Sequence, residues 1–444
     1  MRLSASTLNP DTENTPSIYK IIAVADRVFI VFGVLMLLGV VRFVLAGNAP
    51  AENPFNPGEG NPFVRASWYP LYLMIMAAIL LRIQVFLRSF WRLLPVYLLV
   101  ALSLASIAWS IAPDISLRRI VAVVMTVGFG LYLGLRGDWR ETLKYIGVGC
   151  AIAAFANVVL AIGLPSVGVD TEVHDGAWKG LTVEKNALGG DMARAALIFM
   201  ALAHIDVKHR VAWLGALLLS VLCVLGSTST TALLGIMIPS LFFAVYLVGT
   251  KSVFASLSMV YASIVGAGVL ACAIVFFPEF IAELLGKDVT LTGRTDIWSL
   301  VGQKISDHPL TGYGLGAFWV NPYGPCYTIL YVLDWIVPSA HNSWLEMGLD
   351  LGFPGIFLLL IITGIALVRS IFMLFARGNP WPLSALGQLI LFSFSESTIL
   401  WSQNVFSCSM FMFFVVIASM PAKERLMHQG PRRMPGSIRG RWFA

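Results

Sequence analysis

His341 and Asn342, with Glu346 and Asp350 after them, stand in the stretch "SAHNSWLEMGLDLGFPG" (339–355), directly ahead of "IFLLLIITGIALV", a run fit for lipid. Two more stretches concentrate polar residues in a similar way. "LTGRTDIW" (291–298) carries Arg294, and "VEKNALGGDMARAAL" (183–197) brings Lys185 and Asn186, then Asp191 and Arg194. Arg118 and Arg119 lie together in "APDISLRRI". Arginines and lysines grouped at headgroup level suit a lipid-borne diphosphate, because guanidinium forms two parallel bonds to phosphate oxygens. A neutral imidazole suits removal of a proton from an attacking hydroxyl near neutral pH. Together they describe transfer from a lipid diphosphate to an acceptor alcohol, the cations stabilising charge on the leaving group. No acidic D-x-D pair stands in an outer loop and no His/Cys cluster has metal spacing. A metal-independent reaction without a cofactor is expected.

Each group also has a plainer reading. Asp191 and Arg194, three apart on a helix, can pair with each other and stabilise only the bundle. "SWLE" fits a capping box, with Ser343 as N-cap and Glu346 reaching back to it. The glycines of "LTGYGLGAFW" (Gly312, Gly314, Gly316) fit a tight turn or a backbone approach to a ligand. They are no dinucleotide fingerprint, because no strand precedes them. The aromatic residues Tyr313, Trp319, Tyr323, Tyr327 and Trp335 could present flat faces to sugar rings or serve as interfacial anchors.

The elements that must position these groups are membrane helices. The chain has 444 residues, 58% hydrophobic and 12% charged, about half the charge of a chain that faces water. Apolar stretches of about twenty residues recur from end to end, each long enough to cross a bilayer. The pattern predicts an all-α polytopic membrane protein of about twelve helices, near 21–46, 69–87, 91–111, 119–136, 142–164, 187–204, 211–226, 230–249, 253–277, 353–376, 381–400 and 403–420. A long outer loop, about 278–352, separates the ninth and tenth. Within it, Ile297, Leu300, Val301 and Ile305 recur at helical spacing, which predicts a helix ending at His308-Pro309. This helix is expected along the membrane surface, with Trp298 at headgroup level.

A cytoplasmic N-terminus sends about two thirds of the 30 Lys and Arg to the cytoplasmic side, the positive-inside bias. The expected organisation is a cytoplasmic tail (1–20), a multi-pass domain (21–420) and a basic cytoplasmic tail (421–444) able to touch anionic lipid. The net charge of +6 is therefore a topology signal, and nucleic acid is not an expected partner. No disulfide framework is implied by the five cysteines, four of which lie in apolar stretches.

The segments "AWSIAPDISLRRIVAVVMTVGFGLYLGLRG", "GLTVEKNALGG", "LTGRTDIWSLVGQKISDHPLTGYGLGAFW" and "AHNSWLEMGLDLGFPGIFLLL" follow one another in that order. They resemble the O-antigen ligase and polysaccharide polymerase superfamily, especially its exopolysaccharide-polymerase branch, from about residue 105 to 405. The resemblance implies a GT-C-like glycosyltransferase of the bacterial inner membrane that works on the periplasmic face without a metal. Its donor would be an undecaprenyl-diphosphate-linked glycan, and attack from the opposite face would invert the anomeric centre. It also implies that His341 is the histidine assisting the acceptor hydroxyl, that Arg294 contacts the diphosphate, and that Lys185 and Asn186 match a Lys-Asn pair of the family. One position departs from the pattern. "GSTSTTALLG" (226–235) has Thr230 where relatives usually carry a basic residue, so that phosphate contact is either missing or supplied by another residue, with Arg118, Arg119 and Lys185 as the candidates. Asn342, Glu346, Asp350, Trp319 and Tyr313 are expected to support the site or meet glycan.

Three functions follow as expectations. The first is a polymerase that joins lipid-linked repeats into exopolysaccharide or O-antigen, with membrane lipids and a chain-length regulator as partners. The second is a ligase that moves finished glycan onto lipid A-core. The third is a transporter or flippase without covalent chemistry, which calls for paired interrupted helices in two related halves; no such halves are visible.

Overall fold

The computed structural model describes residues 17–47, 61–171, 174–249, 294–334, 337–399 and 405–419, and every element named below lies among them. The helices are α1 (Ser17–Leu37), α2 (Val40–Ala46), α3 (Pro62–Leu81), α4 (Ile83–Ser89), α5 (Leu94–Ala105), α6 (Pro113–Leu135), α7 (Trp139–Gly163), α8 (Pro165–Gly168), α9 (Lys185–Ile205), α10 (Arg210–Gly226) and α11 (Thr230–Gly249). They are followed by α12 (Arg294–Asp307), α13 (Tyr327–Leu333), α14 (Ser343–Arg377), α15 (Trp381–Ser395) and α16 (Val405–Ser419). The protein is an all-helical polytopic membrane protein. Seven of its described helices are long and apolar enough to cross a bilayer, or up to nine if each of two bent pairs is one span. Helices occupy eleven of the twelve predicted positions, although α15 and α16 have only 15 residues each. The predicted ninth span, 253–277, both tails apart from the start of α1, and Trp335 lie outside the described residues.

Burial follows from what each helix can offer its neighbours. α9 is rich in glycine and alanine, which lets other helices approach closely, and most of its side chains are buried. α14 turns Phe357, Val368, Phe372 and Phe375 outward, a face suited to lipid. α9 and α15 run antiparallel. The His204 ring meets Trp381 at one end, with centroids 5.7 Å apart, and Gln388 Nε2 donates to the Ala193 carbonyl midway at 2.9 Å. A further seven residues outward along each helix, about 10 Å, reach Asn186 and Ser395. The beginning of α9 therefore lies level with the end of α15.

A second, smaller core lies beyond the bundle. Ile297, Val301 and Ile305 of α12 are buried with Phe318, Ile329 and Leu349. The predicted helix is present, but its apolar face is spent inside the protein instead of on the membrane surface. Trp298 likewise donates its indole N–H to the Ala340 carbonyl at 3.0 Å. This outer unit docks on the first turns of α14, which are separated from the membrane-spanning remainder by a break at Gly352 (φ 66°, ψ −164°). The break leaves the Phe353 N–H to donate to the Pro309 carbonyl at 2.7 Å. The sequence places a span from 353 onward; the helix in fact starts at Ser343 and changes direction at this glycine.

The three glycines form a turn against protein, which settles the choice left open by sequence. Gly312, Gly314 and Gly316 all have positive φ. A Cβ on Gly312 would meet the Asp350 and Leu349 backbone at 2.5–2.6 Å. Gly312→Ala is expected to destabilise the protein by about 1–3 kcal/mol through backbone strain and that collision. Thermal unfolding in detergent checks this, and an unchanged midpoint would mean that the turn relaxes freely.

Candidate functional site

Asn342 sets the start of α14. Its side-chain oxygen accepts from the Trp344 N–H at 2.9 Å and the Leu345 N–H at 3.3 Å, so it is the N-cap. His341 comes just before it, with φ 47°, a conformation uncommon for a residue with a side chain and more accessible to His than to most. Holding it costs on the order of 1–3 kcal/mol, and the surroundings supply the constraint. The His341 Nδ1 lies 3.3 Å from Glu396 Oε2. The other oxygen of the same carboxylate, Oε1, accepts from Arg294 Nη2 at 2.8 Å, and Arg294 Nη1 donates to the Ser395 carbonyl. Ser343 Oγ donates to the Glu396 carbonyl at 2.9 Å and accepts from the Thr398 and Ile399 N–H groups at 2.8 and 3.1 Å. One carboxylate thus joins the start of α12, the start of α14 and the end of α15.

Charge fixes the roles. Burial by itself would raise the pKa of Glu396, but the His341 hydrogen bond and the Arg294 charge outweigh it and hold the group below the ordinary glutamate range. An ionised carboxylate only accepts hydrogen bonds, so Nδ1 of His341 carries the proton it shares with Glu396. In the neutral imidazole this tautomer leaves the Nε2 lone pair available, the arrangement a general base requires.

A buried layer supports this cluster. Glu346, 3% exposed, accepts from the Ala340 N–H and from the Trp319 indole at 3.2 Å, and lies 3.5 Å from Ser397 Oγ. It therefore grips the neighbours of both His341 and Glu396. This replaces the capping box expected from "SWLE": Asn342 caps, and Glu346 faces the core instead of reaching back. Asp350 accepts from the Gly316 N–H at 2.7 Å, while Arg119 donates to the Gly316 carbonyl.

The remaining predicted residues divide. Tyr313 and Trp319 are 4% and 2% exposed, so neither can stack on a sugar; their polar atoms bond to the Lys304 carbonyl and Glu346. Tyr323, 86% exposed, can offer a face. Asp191 and Arg194 form the plain ion pair at 2.8 Å. Lys185 and Asn186 head α9 half-buried, with no ion pair recorded among the described residues. They lie level with Ser395, as the helix register above requires. Thr230 heads α11 beside them, since Gly189 of α9 abuts Ser227 and Ala232. Helix N-termini present unpaired N–H groups and partial positive charge. Arg118 is solvent-exposed on α6, away from the Gly316 contact of Arg119. Glu396 was missed in the sequence. Its signal was a lone carboxylate in "LFSFSESTILW", inside a predicted span, where an ionisable group marks function by default.

The O-antigen ligase family model matches residues 214–360, a segment that holds Arg294 and His341 and stops short of Glu396. The exopolysaccharide production protein ExoQ of Rhizobium meliloti (strain 1021) is 26% identical over 270 residues, 58% of this chain and 60% of that protein. The chain thus matches about 60% of the length of this curated relative. Both findings agree with the superfamily that the motifs resemble.

The lowered pKa of Glu396 has a consequence for stability. Its stabilisation is complete above the ordinary unfolded glutamate value of about 4.3 and is lost as pH falls through the depressed folded value. The difference in unfolding temperature between wild type and Glu396→Gln is expected to shrink as pH falls below about 4. A pH series of melting curves measures this.

Proposed function

We propose that this chain is an inner-membrane glycosyltransferase that polymerises undecaprenyl-diphosphate-linked oligosaccharide repeats on the periplasmic face, without a metal and with inversion. The observation that carries this reading is the shared carboxylate of Glu396, which orients a histidine base and an arginine side by side where the membrane helices end. In this reading His341 Nε2 takes the proton of the acceptor hydroxyl. The acceptor oxygen bonds to the anomeric carbon as the bond from that carbon to the phosphate oxygen breaks. The electron pair leaves with undecaprenyl diphosphate, whose growing charge meets the remaining N–H donors of Arg294, the Lys185 ammonium and the N-termini of α9 and α11. Because Arg294 also serves Glu396, Lys185 becomes the cation best able to offset the threonine at 230. Asn186 lies beside it, while Glu346, Asp350 and Arg119 act as positioning groups.

The name of the curated relative favours production of exopolysaccharide. The description of the matching family model favours a second reading, a ligase that delivers finished glycan to another acceptor. The two share a donor and a site. The cytoplasmic termini, the twelve spans, the GT-C-like fold and a chain-length regulator as partner belong to the proposal.

Mass spectrometry of lipid-diphosphate-linked glycans from cells lacking the protein tests the reading. Accumulated single repeats without polymer are expected for the polymerase. Long chains retained on the carrier would make it the ligase, and no accumulation of either would overturn transfer altogether. At residue level, His341→Ala is expected to lower the rate by about 10²–10⁴, the share general base catalysis commonly contributes, without loss of folded protein. Glu396→Gln is expected to lower it through the wrong imidazole tautomer. Turnover assays on purified protein, with melting curves as control, check both; wild-type turnover by the His341 variant would remove it from the mechanism.

A further inference from the structure

The ends of α9, α14 and α15 opposite His341 enclose a second polar cavity. α14 begins at Ser343 and ends at Arg377, α15 begins at Trp381 and ends beside Glu396, and α9 ends at Ile205. All three helices therefore connect the candidate site to the opposite face of the bundle. There a cavity of about 120 Å³ is lined by Arg140, Arg377, His204, Asn379, Trp139 and Trp381, among others. That space holds several waters and is ample for a tetrahedral oxyanion.

Its lining has one sign. Two arginines and a histidine face it, and no carboxylate is among the lining residues. Arg377 makes no ion pair or hydrogen bond among the described residues. Arg140 lies over the Trp139 ring, 5.5 Å from its centre, which keeps the guanidinium at the rim. The helix that opens into the cavity, α15, begins with the Trp381 N–H donating to Asn379 Oδ1 at 3.3 Å, and its N-terminal partial charge has the same sign as the cations. The indoles of Trp139 and Trp381 are the side chains found at the depth of lipid headgroups. Exposed Phe372 and Phe375 on the neighbouring turns of α14 continue that surface toward acyl chains.

We propose that this cavity is a binding site for a phosphate group, on the face of the protein opposite its transfer site. The group is either the phosphodiester of an anionic phospholipid in that leaflet or free phosphate. Guanidinium pairs bind phosphate through paired parallel bonds, and the site lies outside the chemistry assigned to His341, Arg294 and Glu396. An occupant would bridge the ends of α9, α14 and α15 and bear on the register of the helices that carry the transfer site.

The test is native mass spectrometry of the full chain in detergent, titrated in one arm with phosphatidylglycerol and in the other with inorganic phosphate. At least one probe is expected to bind, and Arg140→Ala with Arg377→Ala to weaken that binding by about tenfold or more, as loss of charged hydrogen bonds predicts. His341→Ala is expected to leave it unchanged, which separates this cavity from the transfer site. Arg377→Gln, similar in length and still polar, serves as the milder variant should the double alanine variant unfold, and is expected to weaken the same probe. Binding in the lipid arm alone identifies the headgroup as the source, and binding in the phosphate arm identifies the free ion. Failure of both probes to bind, or equal binding by wild type and the arginine variants, overturns the proposal.

Discussion

Three chain segments far apart in sequence are held at one point by the carboxylate of Glu396. It reaches across 55 residues to His341 and across 102 to Arg294, and its backbone is pinned by Ser343. Removing Arg294 would leave this part-buried carboxylate without the cation that offsets its lost solvation. The constraint is therefore mutual. The arginine keeps the carboxylate ionised, the ionised carboxylate selects the histidine tautomer, and the strained backbone at His341 is held by the contacts around it.

The outer unit exists to keep that constraint in register. Its small core fastens α12 to the early turns of α14, and Glu346 then ties Ala340 and Ser397, the neighbours of His341 and Glu396. Trp319, Tyr313 and the glycine turn belong to this scaffold. The chain has spent aromatic residues and glycines, which elsewhere could meet substrate, on burying carboxylates that hold a loop still.

Much of this was legible in the sequence, for identifiable reasons. Hydropathy located the helices because lipid tolerates only apolar side chains outside and satisfied backbone inside. Arg294 and His341 stood out because strongly polar residues are rare in such a chain. Glu396 did not, since it follows "LILFSFS" and hydropathy averaging extended that run through it to 400; the helix ends at Ser395. Glu346 was misread because a capping box and a buried acceptor share the same local pattern. Only the tertiary fold decides which donor a carboxylate finds. Burial of Tyr313 and Trp319 was likewise hidden, as it arises from contacts with Glu346 and the Lys304 carbonyl, not from neighbours in sequence.

The position of Glu396 near the end of the chain has a consequence for biogenesis. When a ribosome has delivered α12 and the whole of α14, the histidine and the arginine are already in the chain, together with the small core beside them. The carboxylate that joins them arrives only with the next helix, α15. Until that 15-residue segment and the residues just after it have been made, the histidine and the arginine lack the carboxylate they share and Ser343 lacks its partners. Translation order thus makes this cluster one of the last sets of contacts the growing chain can form.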